Sequence, residues 1–282
     1  MKNRLLIFLA GMFSTISVIA QTTFVSERLV KMWETTAELK VPECVCYDAG
    51  RNVIYVSNVA GSPTDKDGIG FISRISPEGT VLVAEWVSGL NAPKGMAIEG
   101  NFLYVSDINR VVVIDIIRGN IARSIEIPQA TFLNDVVADK NGDIYVSDSR
   151  KNAIYLVKDG KYEVFAQSDR LKGPNGLYIE SGKLLAGLED RIVSIDLRTR
   201  RISDYILNTG SIDGLVPDGK GNYLISDWLG HIHLVNPKKE KVQLLDTTPD
   251  KINAADIDYV ISKKMLLVPT FGNNKVVAYE LK

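Results

Sequence analysis

The stretch Asn134–Asp148, NDVVADKNGDIYVSD, is dense in carboxylate and amide side chains: Asn134, Asp135, Asp139, Asn141, Asp143 and Asp148. A helix–loop–helix cation loop requires D-x-[DN]-x-[DN]-G and a Glu at its twelfth position. Counting from Asp139, Asn141 and Asp143 fit, but Ile144 stands where Gly is needed and Arg150 where Glu is needed. That reading fails. Asn141-Gly142 between two alternating apolar runs instead signals a hairpin with a two-residue turn, because both residues tolerate positive φ.

The hairpin recurs. Aligned copies begin at Glu43 (ECVCYDAGRNVIYVSN), Lys94 (KGMAIEGNFLYVSD), Asn134, Asn175 (NGLYIESGKLLAGLED), Asp213 (DGLVPDGKGNYLISD) and Ala255 (ADIDYVISKKMLLVPT), at intervals of 51, 40, 41, 38 and 42 residues. A third apolar strand follows each hairpin, and a fourth follows the first five. Four short strands per period of roughly 40 residues is the arithmetic of a β-propeller blade. The predicted fold is therefore all-β: a six-bladed β-propeller over about residues 24–282, with four-stranded blades and no helix longer than a turn or two. The last copy stops after three strands, and Leu29–Leu39 (LVKMWETTAEL) has no blade of its own. We expect this segment to be the outer strand of the last blade, closing the ring and removing an exposed edge.

Lys2 and Arg4 precede an apolar run, Leu5–Ala20, that ends in small residues before Gln21. Residues 1–20 read as a secretory signal peptide, with an uncleaved N-terminal anchor as the rival. The expected product is exported, periplasmic or secreted, with no stable membrane insertion after cleavage. The 282 residues carry 33 basic and 34 acidic side chains, a balance that argues against a nucleic-acid partner. The two cysteines, Cys44 and Cys46, lie too close on one predicted strand for an unstrained mutual disulfide and read as small core residues.

In a blade the first strand lines the central axis, so the residue that opens it faces one mouth of the channel. Around the ring those positions are Glu43, Lys94, Asn134, Asn175, Asp213 and Ala255. Asn, Asp and Glu are poor strand residues. Taken singly, each reads as an ordinary turn former. Together, Glu43, Asn134, Asn175 and Asp213 form an all-oxygen set suited to a hard cation, and calcium tolerates irregular geometry better than magnesium does.

These residues carry a resemblance. Through PE at Glu43, LND at Asn134, GPNGL at Asn175 and DGL at Asp213, the chain resembles the gluconolactonase/regucalcin family over its whole mature length, and more distantly the paraoxonases. The YVSD strand ends also resemble NHL-type propellers, which are often binding modules. The first resemblance implies one calcium ion held by Glu43, Asn134, Asn175 and Asp213, and hydrolysis of a small-molecule lactone or ester. There are departures. Phe132 stands where sugar-lactone hydrolases of this type carry an Arg, which puts a sugar substrate in doubt. Lys94 stands where paraoxonases carry a His. Cys44 replaces the Asp with which they hold a second ion, so no second ion is expected.

In the enzyme reading, Asp213 is the expected general base. Lys94 either binds a substrate anion or the oxyanion, or pairs with Glu43 or Asp213. The connections between second and third strands should frame the pocket, the longest being Asn58–Gly70, a candidate lid. Phe132, Trp228 and Phe271 are the expected apolar wall. Asp148 is placed near the substrate in a supporting position at most. The only histidines, His231 and His233, share one face of a predicted third strand away from the axis, which leaves no basis for a His triad or a zinc site. The rival function is a propeller that binds a ligand or protein without chemistry. A strictosidine-synthase-like propeller fits less well, because the acidic set is fuller than that chemistry needs.

Overall fold

The computed structural model describes residues 22–36, 38–238 and 240–282; the expected signal peptide lies outside them. Six antiparallel sheets are arranged as blades. Their first strands are Pro42–Asp48, Pro93–Glu99, Leu133–Ala138, Leu177–Glu180, Leu215–Pro217 and Asp258–Val260. Successive first strands touch one another in ring order. The ring shuts at the axis, where the Asp256 N–H donates to the Glu43 carbonyl and Cys44 bridges Asp256 in parallel. Among the described residues the three helical pieces are single 3-10 turns.

Burial explains the strand sequences. The second strands VIYVSN, FLYVSD and IYVSD are nearly wholly buried, and their near-continuous apolar runs have neighbours on both faces. The outer strand Asn120–Glu126 is exposed almost throughout and reads polar. The core is a ring of interfaces between consecutive blades. Tyr55 and Val105 meet between blades 1 and 2, for example, and Leu266 and Leu224 between blades 6 and 5. The closing interface sets Val45, Ile54 and Val56 of blade 1 against Met265, Leu267 and Ala278 of blade 6.

Leu29–Glu34 is the outer strand of blade 6, as expected, pairing antiparallel with Val276–Leu281 from Leu29 opposite Leu281 to Glu34 opposite Val277. Trp33 extends this clasp to blade 1. Its Nε1 donates to the Pro77 carbonyl at 2.9 Å, and its ring occupies the space a side chain at Gly79 would need. Trp33→Ala is expected to lower stability by about 2 kcal/mol in a urea titration, below the usual cost for a fully buried Trp because the ring is only half-buried.

Two local expectations change. The turn in the opening stretch is not a two-residue one. Asp139 pairs with Asp143 and Gly142 N–H returns to the Asp139 carbonyl, so Lys140–Gly142 form a three-residue loop with only Gly142 at positive φ. The Asp139 carboxylate takes the N–H groups of Asn141 and Asp143, and this local bonding decides the turn type. Phe24–Val25, which the repeat left unassigned, adds a fifth strand to blade 5 beside Lys241–Asp246. Cys44 and Cys46 are free thiols, buried and half-buried respectively.

Candidate functional site

The opening residues owe their orientation to broken ladders. In blades 1 to 3 the pairing of first and second strands skips a step between Pro42 and Cys44, Pro93 and Met96, and Leu133 and Val136. Glu43, Lys94 and Asn134 sit in these bulges, which re-aim a side chain at the cost of ladder bonds. Serine hydroxyls replace the lost bonds. Ser57 Oγ accepts the Cys44 N–H, Ser147 Oγ the Asp135 N–H, and Ser226 Oγ the Gly214 N–H, at 2.8–2.9 Å. Ser226 also donates to the Ala255 carbonyl and Ser106 to the Asn134 carbonyl, each reaching the next blade. The repeated Ser in YVSN, YVSD and LISD was the sequence signal for this device. Ser147→Ala leaves the buried Asp135 N–H unpaired, and an unfolding titration should show a loss of about 1–3 kcal/mol.

In blades 2 and 3 the acidic residue after that serine fixes the approach to the opener. Asp107 accepts the N–H groups of Asn91 and Ala92. Asp148 is fully buried and takes the N–H groups of Thr131, Arg150 and Lys151. Asp148 is therefore a turn anchor, and the structure does not bring it to the cavity as a substrate-facing group.

The remaining sequence-selected residues meet in one cavity of about 470 Å³ at the channel mouth. Glu43, Lys94, Asn134, Asn175, Asp213 and Ser211 contribute its polar side chains, and Phe132, Trp228 and Phe271 line it with Pro63 and Ile212. Trp228 and Phe271 meet edge to face with centroids 5.4 Å apart. Pro63 comes from the long Asn58–Gly70 connection. Ile212 and Ser211 were missed; they lie directly before Asp213, as Phe132 lies just before Asn134, and that shared position was the available signal.

Two carboxylate oxygens here, Glu43 Oε2 and Asp213 Oδ2, are buried without a hydrogen-bond partner among the described residues. Asp213 Oδ1 accepts from Asn175 Nδ2 at 2.5 Å, and Asn134 Nδ2 donates to Ser149 Oγ at 3.2 Å. Each amide thus has its nitrogen engaged. Burial pushes the Glu43 carboxyl well above the usual range; Asp213 and Asp135 add to the push and Lys94 opposes it. Burial is also the main cause raising Asp213 to about 7, against the Asn175 hydrogen bond.

Lys94 does not form the ion pair considered as one of its roles; no such pair exists among the described residues. Its ammonium donates to the Pro63 and Ala92 carbonyls, both at 3.0 Å, and lies 4.5 Å from the centre of the Phe132 ring. Burial lowers its pKa, while Glu43 and Asp107 pull it back up.

The axis next to this cavity is acidic. Asp135 and Asp256 follow the third and sixth openers and line the channel with Cys44. Burial raises Asp135 to about 7 and Asp256 well above its ordinary range. The strands close tightly here. A Cβ on Gly176 would lie 2.6 Å from the Asp213 carbonyl, and one on Gly214 2.6 Å from the Ile257 nitrogen, so only glycine fits after these openers.

Among the described residues, no three His, Cys, Asp or Glu side chains group closely enough to hold a metal ion. The candidate set differs in kind, combining two carboxylates with two amides. A larger cleft of about 570 Å³ lies between blades 3 and 4, lined by their turns around Asn141 and Ser181. Its acids are already engaged: Asp139 in its turn, Asp143 with Lys158 and Glu180 with Tyr223. His231 bonds Asp227 at 2.7 Å, with its ring 6.0 Å from that of His233, and neither lines the cavity.

No protein-family model matches the sequence, and no curated protein matches it. Solved structures do. A chain of the nidogen/laminin complex is 19% identical with a TM-score of 0.60, covering 72% of this chain and 79% of that one. The WD40 β-propeller domain of Doa1 is 13% identical with a TM-score of 0.62, over 85% and 78%. Streptogramin B lyase is 12% identical with a TM-score of 0.62, over 92% and 98%. These likenesses show the propeller fold. The gluconolactonase resemblance is not confirmed by them.

Proposed function

We propose that the protein is an exported, calcium-dependent hydrolase of a small lactone or ester. The observation that carries this reading is the pair of buried, unpartnered oxygens, Glu43 Oε2 and Asp213 Oδ2, in one cavity with two amides whose nitrogens are engaged elsewhere. Two buried carboxylates without partners are costly, and an oxygen-liganded divalent cation offsets that cost. Glu43, Asn134, Asn175 and Asp213 would hold it. A bound calcium ion supplies Lewis-acid polarisation of the scissile carbonyl. Asp213, as the ligand that can also accept a proton, would take one from the attacking water. The Asn175 hydrogen bond fixes the orientation of the Asp213 carboxyl. The aromatic wall shields the reacting groups from bulk water.

The test combines calcium titration calorimetry with a lactone and aryl-ester panel, with and without chelator. At calcium one hundred times its dissociation constant, the expected stabilisation is about 2.7 kcal/mol. A calorimetric blank removes the site, and turnover indifferent to chelator removes the mechanism.

A further inference from the structure

We propose that the substrate presents an apolar, ring-sized body to the cavity, beside its ester or lactone group, and is not a polyhydroxylated lactone; this rests on the hydrolase reading above. The hydrogen-bonding capacity of the cavity is concentrated on its opening residues. Away from them, and from the single hydroxyl of Ser211, the walls are Pro63, Phe132, Ile212, Trp228 and Phe271. A sugar hydroxyl buried against those side chains would lose its water without gaining a partner, whereas an apolar ring gains by the same burial.

The one buried cation of the cavity cannot make up the deficit. Lys94 has three N–H donors. Two go to the Pro63 and Ala92 carbonyls, and the ammonium lies over the Phe132 ring. At most one donor is left, too few for the several hydroxyls of a sugar lactone. Phe132 is itself held in place, because the Arg150 guanidinium lies 4.4 Å from the same ring. Trp228 completes the case at the mouth. It stays 50% exposed although its ring meets Phe271, so much of a large aromatic surface remains for a ligand to cover.

The experiment compares dihydrocoumarin and phenyl acetate with glucono-1,5-lactone on the calcium-loaded protein. The expected kcat/KM is about 100-fold higher for the apolar pair, in line with what hydrogen-bond mismatch and apolar burial contribute to discrimination. Trp228→Ala should raise KM for dihydrocoumarin about ten-fold with calcium affinity unchanged. Phe132→Arg should shrink the preference. Hydrolysis of gluconolactone at equal or higher kcat/KM overturns the inference while leaving the hydrolase reading standing. So does a preference that neither substitution moves. If nothing is turned over, calorimetry with the lactam analogue of dihydrocoumarin decides. Saturable binding weakened by Trp228→Ala upholds the apolar cavity as the hydrolase reading falls, and no binding overturns the inference as well.

Discussion

Asp213→Asn is expected to lower kcat/KM on the best lactone or ester by about 10³-fold, the usual scale for losing a positioned general base. The substitution is nearly isosteric. An amide at 213 can still accept from Asn175 Nδ2, as Asp213 Oδ1 now does at 2.5 Å, so the local shape survives. What disappears is Oδ2, both the proton-accepting oxygen and one of the cation's ligands, so kcat is compared at saturating calcium. Glu43→Gln serves as the contrast. It removes the other unpartnered carboxylate but leaves the base, so it should weaken calcium binding about ten-fold or more while restoring most of kcat at saturating calcium. Equal kcat for wild type and Asp213→Asn would refute the assignment of the base. Circular dichroism and melting curves are the check that both variants fold.

Without divalent cation, the protein should become more stable as pH falls from 8 to 5. The direction follows from the raised carboxyls. Asp213 and Asp135 are lifted from an ordinary 3.8 to about 7, chiefly by burial. Between about pH 4 and pH 7 the folded chain therefore holds protons that the unfolded chain has released. This contribution is fully present below pH 4 and is lost as pH rises through 7. One pKa unit corresponds to about 1.4 kcal/mol, so two groups each followed over about two units, from about pH 7 to about pH 5, give a gain on the order of 5 kcal/mol. For a chain of this size that is a rise in Tm of roughly 10–20 °C. Calcium should reverse the trend, stabilising most above pH 7 where the carboxylates are charged. A melting series with and without chelator measures both slopes. A Tm that is flat or falls on acidification without cation contradicts the buried-acid description.

The fold was legible because the repeat is redundant. A four-strand pattern in successive copies survives local errors, and the unpaired third strand after Met265 left one vacancy that Leu29–Glu34 could fill. The site was legible by the same logic, since position in the repeat placed Glu43, Lys94, Asn134, Asn175 and Asp213 at one mouth before any contact was known. What escaped depends on competition between nearby atoms. Asn141-Gly142 suggests a two-residue turn, but the Asp139 carboxylate captures two amides and lengthens it. Asp148 reads as a supporting residue near the substrate, but its oxygens are taken by three backbone N–H groups. The partners of Lys94 come from its own strand's approach and from Pro63, 31 residues away, in a loop the repeat does not describe. Phe24–Val25 is too short to carry a periodicity.

The clasp has a consequence for the order of events in making the molecule. Thr35 bonds Val276 across a sequence separation of 241 positions, and the strands beside them close the ring. Blade 6 and the interface between blades 6 and 1 cannot form until nearly the whole chain has been synthesised. Blades 2 to 4, by contrast, are built from consecutive hairpins and can assemble as they emerge. Until the last strand arrives, blades 1 and 5 each hold an uncovered apolar face, so the nascent protein is an open arc prone to pairing with other chains. The acidic axis is also incomplete at that stage, because Asp256 meets Cys44 only on closure. Ring closure and assembly of the axial acids are thus one late, long-range step, and the slowest phase of refolding is where both should be observed.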